Sequence, residues 1–463
     1  MTEQLKLKLN DSKATRWGAL VIVAFTMMAA YYVNDVVAPL KTMLETDLAW
    51  SSTDFGFFTG GYSFLNVFFL MLIWGGLILD RFGIRFTGKL ATILMVGGTA
   101  LEYYAMTGLA GADATLFGIN EIFGYKTGVF VAFAGYSIFG VGAEVAGITV
   151  SKIIAKWFKG KELATAMGVQ VALARIGSQA GYAVAIPLAR AFGISTPVLL
   201  GLVLLLGGMI AFFVFTVMDK KLDKQMEAAA IAAGTEDEEE KFSFKDVKNI
   251  LVNPGFWLIA LLCVLFYSCV FPFQKFASEL MIIKYGINEN VAGTFAGLPA
   301  LGALILTPVF GGFIDKRGKS ASIMLLGSAM LICVHFIYAI PDINYWLGAI
   351  VLIIILGIAF SLVPSAMWPA VAKIFPVSQL GTAYALIFFI QNIGLWGIPT
   401  LIGWVLDAYC ISGKKPDGTN MYDYTVPMCI FTGIACLSLV VALLLKKADR
   451  KYGYKLEEPN IQK

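Results

Sequence analysis

Apolar residues along the 463-residue chain come in long blocks, not in the alternation of a half-buried strand or the one-sided stripe of a soluble helix. Trp17 to Val33 and Phe55 to Leu79 hold no charged residue at all. A bilayer core of ~30 Å needs about 20 helical residues per crossing, and the blocks divide into twelve predicted spans: 17–39, 56–79, 88–108, 127–151, 162–190, 194–218, 256–281, 292–314, 320–340, 345–371, 379–408 and 425–445. One long polar insert, Asp219 to Gly255 with its acidic run Glu236 to Glu240, separates the sixth from the seventh. The pattern predicts an all-α membrane protein of twelve transmembrane helices in two pseudosymmetric six-helix bundles: residues 1–218, a cytoplasmic linker 219–255, and residues 256–463 with a basic cytoplasmic tail.

Composition agrees: 58% of residues are apolar and 14% charged, against about 25% charged in soluble domains. The net charge of +4 does not point to nucleic acid, because Lys and Arg gather at span ends. With the amino terminus inside, the inner surface receives most of them, including Lys13, Arg16, Arg81, Arg85, Lys152, Lys156, Lys316, Arg317, Lys373 and the tail from Lys446; both termini are expected on the cytoplasmic side. The segment before Arg16 is polar and has no signal-peptide pattern. None of the six cysteines forms a CxxC pair, so no metal or redox site is expected. Cys410 and Cys429 flank one outer loop and could bridge if it faces an oxidising space; free thiols are the expectation. P-loop, HExxH and GxSxG motifs are absent, so neither an enzyme nor a cofactor is expected.

The two halves echo each other. Gly76 to Arg85 reads GLILDRFGIR and Gly311 to Lys319 reads GGFIDKRGK, 235 positions on; Leu163-Ala-Thr-Ala with Arg175-Ile-Gly is matched by Leu380-Gly-Thr-Ala with Asn392-Ile-Gly, 217 positions on. Parallel six-helix repeats are a mark of rocker-type transporters. Gly76, Asp80, Arg81, Gly83 and Arg85 between spans 2 and 3 form the Gly-x-x-x-Asp-Arg-x-Gly-x-Arg signature, and the chain resembles the major facilitator superfamily. Within it, WFKGKELATAMG (157–168), ARIGS (174–178), VFPF (270–273), MWPAVAKIFP (367–376) and QLGTAYALIFFIQNIGL (379–395) resemble the lysosomal dipeptide uniporter branch. Lys275 and Glu279 have no match there. With no glycosylation sequon in an outer loop, a relative in the bacterial cytoplasmic membrane is the expectation, as a monomer without the branch's glycosylated accessory subunit.

An ionisable group near mid-bilayer costs at least ~2.5 kcal/mol and is kept where it is paired or wet. Glu144 in span 4 and Arg175 in span 5 lie ~11 to 20 Å from the inner surface at 1.5 Å per residue, so they can share one cavity. An acid and a guanidinium facing one space complement a zwitterion; a salt bridge that merely neutralises both is the alternative. The resemblance implies that these two hold the ends of a dipeptide and that transport is uniport. Pseudosymmetry places Asn392 and Ser361 opposite Arg175 and Glu144. Trp368 and Tyr384 fall in matched stretches and are further cavity candidates, whereas Tyr31, Tyr32, Tyr62 and Trp396 read as packing or interface aromatics.

Asp80, Arg81 and Arg85, with Asp315, Lys316 and Arg317, read as a gating motif at the inner rim that latches the halves when the outer side opens. Asp35 and Glu102 are candidate proton or rim sites. Lys275 and Glu279, spaced i, i+4 after Pro272, are expected to pair with each other as a structural pair or outer gate. His335, the single histidine, reads as a buried spectator. Two other functions remain open: a proton-coupled symporter of peptides or organic anions, and a receptor that binds a nutrient without moving it.

Overall fold

The computed structural model describes residues 8–111, 114–158, 161–233 and 244–459; the acidic run 236–240 lies outside them. Backbone groups in lipid must be satisfied within the segment, and the chain is accordingly helical: α1 (Lys13–Val36), α2 (Lys41–Asp47), α3 (Ser52–Phe68), α4 (Met71–Thr107), α5 (Thr127–Phe158), α6 (Leu163–Phe192), α7 (Thr196–Ala233), α8 (Phe244–Val252), α9 (Pro254–Tyr285), α10 (Glu289–Ala296), α11 (Leu298–Arg317), α12 (Ser320–Ala339), α13 (Trp346–Ile374), α14 (Val377–Tyr409) and α15 (Thr425–Tyr452). Local chemistry sets several boundaries. Ser51 and Asp54 form a capping box that starts α3. Asn253 caps α9 ahead of Pro254, and Gly286, at φ +62°, ends it.

Nine segments among the described residues are long and apolar enough to cross a bilayer, and α3 with α4 form a further broken pair bent by 58°. Gly83, at φ +73° and ψ 174°, divides α4, so that helix holds the end of one crossing and all of the next. With α6, 30 residues long, the crossings reach twelve. Span 2 departs from expectation. It breaks at Phe69 and Leu70, where Leu70 takes φ +53°, and the turn into span 3 is a single non-helical glycine. Span 8 likewise divides into α10 and α11 at Gly297, ahead of Pro299.

The helices alternate between two ends. One carries the start of α1, the end of α15, the Gly83 break and the turns before α6, α12 and α14; the opposite, far end carries the antiparallel hairpins Glu121–Ile122 with Tyr125–Lys126 and Ile411–Lys414 with Asn420–Tyr422. In the first half α1 packs on α6 and α7, and α4 on α5; in the second, α12 packs on α13 and α15, and α9 on α14 and α15. Contact between the sets runs mainly through α3 with α14 and through α6 with α10 and α11. Glycine permits the first of these: a Cβ on Gly56 would lie 2.5 Å from the Pro399 carbonyl oxygen and 3.0 Å from Gly403 Cα.

Candidate functional site

At the centre of the first half, Gly140 on α5 faces the Tyr62 backbone of α3 so closely that a Cβ there would collide with it. One turn along the same face of α5 lies Glu144, and the Tyr62 hydroxyl donates to Glu144 Oε1 at 3.0 Å. A similar approach joins α6 to α1, where Gly177 abuts the Met28 backbone. Arg175, two residues earlier, therefore reaches Tyr31, its guanidinium carbon 5.7 Å from the ring centroid, and lies 5.0 Å from the Phe360 ring of α13. Glu144 and Arg175 are both half-buried. Among the described residues no ion pair joins them. The mutual neutralisation weighed from sequence thus has no contact behind it in this conformation: the Tyr62 hydroxyl meets the acid, and the Tyr31 and Phe360 rings meet the base.

The second half faces them with aromatic surface. Tyr267 stacks on Phe271 at 5.5 Å, Phe271 meets Phe360 edge-on at 5.3 Å, and Trp368 donates from Nε1 to the Tyr267 hydroxyl at 3.3 Å. Tyr384 donates to the Trp368 carbonyl at 3.0 Å, while Trp368 stacks on Phe388 at 4.8 Å. Ser361 and Asn392 sit differently. Ser361 is fully buried and its hydroxyl donates to the Gly357 carbonyl at 2.7 Å. Asn392 is also buried, its amide donating to Phe388 at 3.0 Å, but its Oδ1 has no hydrogen-bond partner.

Toward the far end a second polar group joins the two halves. Lys275 Nζ lies 3.1 Å from Asp35 Oδ1, donates to the Asn34 carbonyl at 2.6 Å and reaches the Tyr136 hydroxyl at 3.4 Å. Ser178 donates to the other Asp35 oxygen. Lys41 is 1% exposed and is gripped by Glu279 at 2.6 Å and Glu45 at 2.5 Å, with the Tyr424 hydroxyl also on Glu279. The expected i, i+4 pair between Lys275 and Glu279 does not form: α1 and α2 offer each side chain an opposite charge across the interface, and those contacts take precedence. Asp407 accepts from Ser52 and Thr53 backbone N–H groups at 3.3 and 2.6 Å, and Arg190 pairs with Glu289. Glu102 is fully buried near Lys275, and neither carboxyl oxygen has a hydrogen-bond partner.

The motif residues occupy the opposite end. Asp80 pairs with Lys152 of α5 at 3.1 Å, and Arg85 pairs with Asp223 of α7 at 3.1 Å and approaches Asp219 at 4.0 Å. Those contacts stay among α4, α5 and α7. Arg81 leans on Phe82 and Arg317 on Phe313, Lys316 is exposed and Asp315 half-buried; Gly76 has open space beside it. His335 is fully buried against Phe273 and Phe431, with Nε2 3.0 Å from the Cys269 carbonyl. Cys410 and Cys429 are free thiols. Sequence reasoning placed Tyr62 and Tyr31 among packing aromatics and did not single out Lys41, Glu45, Asp407 or Phe360; the Lys41-x-x-x-Glu45 spacing was the one available sign.

A family profile described as Major Facilitator Superfamily matches residues 20–399 and 276–458. The lysosomal dipeptide transporter MFSD1 of Homo sapiens is 28% identical over 454 residues, covering 95% of this chain and 88% of its own, and its Danio rerio counterpart is 26% identical over 441 residues, covering 93% and 86%. Among solved structures, a point mutant of the nucleoside transporter NupG superposes with a TM-score of 0.67 at 12% identity, covering 92% of this chain and 98% of its own.

Proposed function

We propose that this chain, which belongs to the major facilitator superfamily and is a multi-pass membrane transporter, carries dipeptides or similar small zwitterions by alternating access and uniport. The observation that carries the proposal is that Glu144, held by the Tyr62 hydroxyl, and Arg175, held against the Tyr31 and Phe360 rings, form no ion pair with each other among the described residues. An ammonium group fits the carboxylate and a carboxylate fits the guanidinium fork. Extended residues span at most ~3.6 Å each, so anchors on the consecutive helices α5 and α6 suit a short peptide better than a long chain. The names of the relatives support the same substrate class.

Contacts that join the halves at the far end, Lys275 with Asp35, Lys41 with Glu279 and Asp407 with Ser52 and Thr53, fit a state closed at that end. The rocking units are residues 1–218 and 256–463, linked by 219–255. The distribution of Lys and Arg supports cytoplasmic termini. A monomer in a bacterial cytoplasmic membrane is the proposed setting.

Reconstituted vesicles test the transport mode. With an imposed pH gradient and equal dipeptide on both sides, uniport gives no accumulation; a gain of internal dipeptide overturns it. Proton-coupled symport is favoured by one observation, the buried Glu102 carboxyl without a hydrogen-bond partner near the Asp35–Lys275 pair, and the same assay decides between the two. Binding without counterflow would instead support a non-transporting receptor.

A further inference from the structure

Where α15 leaves the membrane zone beside α12, a cleft of about 810 Å³ is lined by Leu325, Leu443, Lys446, Lys447, Arg450 and Lys451. The order along α15 is informative. Leu443 and Leu444 are exposed, as is Leu326 on the facing α12, so the lower part of the cleft is apolar; the next two turns carry four cations. Positions 446, 447, 450 and 451 are separated by one, three and four residues, so they gather on one side of the helix.

The acids nearest to this surface are already engaged. Glu457, in the chain's final stretch, accepts from the Ser322 backbone N–H at 2.8 Å and from its hydroxyl, capping the start of α12. Asp449 is buried and accepts from the Leu456 N–H at 2.9 Å. Lys446 donates to the Ser322 hydroxyl at 2.7 Å, and among the described residues Lys447, Arg450 and Lys451 enter no ion pair. Three uncompensated cations above an apolar floor, in a groove between two spans, form a surface complementary in charge and polarity to a lipid with an anionic head.

We infer that this cleft holds an anionic phospholipid, its phosphate among Lys447, Arg450 and Lys451 and an acyl chain along Leu325 and Leu443. The site is separate from Glu144 and Arg175 and independent of the cargo proposed there. A basic side chain near an anionic membrane surface is worth roughly fivefold in affinity, so three of them support a preference of at least about tenfold for an anionic over a zwitterionic lipid.

Native mass spectrometry of the full chain, extracted from bilayers of equal phosphatidylglycerol and phosphatidylcholine, tests this. Wild type should retain phosphatidylglycerol about tenfold over phosphatidylcholine. In Lys447→Gln/Arg450→Gln/Lys451→Gln the ratio should fall to about one, and in the charge-preserving Lys447→Arg/Arg450→Lys/Lys451→Arg it should persist. Lys446 is left in place because it holds Ser322. If the glutamine variant melts earlier than wild type, Arg450→Gln alone is read in its place, with a fall of roughly fivefold expected. An unchanged ratio in the glutamine variants overturns the inference, as does complete displacement of the lipid by millimolar inorganic phosphate, which would mark a site for a free anion.

Discussion

Replacing Lys275 with alanine removes a cation that ties α9 to α1. Three contacts disappear: 2.6 Å to the Asn34 carbonyl, 3.1 Å to Asp35 and 3.4 Å to the Tyr136 hydroxyl. Asp35 is only 7% exposed, and stranding one member of a buried ion pair costs about 3–5 kcal/mol. Ser178 and Asn34 still donate to Asp35, which favours the low end, about 3 kcal/mol. When the far end opens, water reaches Asp35 and that cost vanishes, so it falls on the closed state alone. At 1.4 kcal/mol per decade the open-to-closed ratio rises about 10²-fold. Double electron–electron resonance between spin labels on the exposed positions Glu121 and Asp342 reads the change as growth of a longer-distance population. Lys275→Ala/Asp35→Asn should return the distribution toward wild type, because no uncompensated charge remains. Unchanged distances in the single variant, or a double variant more open than it, would refute the reasoning.

Three further outcomes are expected. Gly56→Val puts a side chain against the Pro399 carbonyl and Gly403, and should raise the labelling rate of a far-end cysteine while leaving secondary structure, read by circular dichroism, unchanged. Tyr62→Phe removes the hydroxyl that orients Glu144; a hydrogen bond to a charged group is worth about 1.5–3 kcal/mol, so dipeptide affinity by calorimetry should fall at least about tenfold. Arg85→Ala breaks a half-exposed pair, which should change stability by no more than about 1 kcal/mol in a melt while slowing counterflow.

The helical blocks were legible because a bilayer leaves a spanning chain few options: unbroken apolar runs of the right length can satisfy their backbones only as helices. The break in span 2 was not. Phe69 and Leu70 sit among apolar residues with neither glycine nor proline beside them, so nothing local announces the positive φ of Leu70. Glu144 and Arg175 stood out because a charge deep in an apolar run is conspicuous. Tyr62 did not, since an aromatic ring in a span looks the same whether its hydroxyl meets lipid headgroups or a carboxylate. Lys275 and Glu279 show the limit of local spacing. Their separation permits a pair on one helix, but opposite charges on another helix compete for them, and Asp35 and Lys41 are 240 and 238 residues away in sequence.

The most direct measurement pairs chemical and genetic removal of each of the two charges: thermal stabilisation by a dipeptide, its N-acetyl form and its C-terminal amide, in wild type, Glu144→Gln and Arg175→Ala. Acetylation should weaken stabilisation in wild type and cost nothing more in Glu144→Gln; amidation should do the same against Arg175→Ala. Independent losses, with each modified ligand penalised equally in all three proteins, would contradict the placement of the ligand's two ends at these residues.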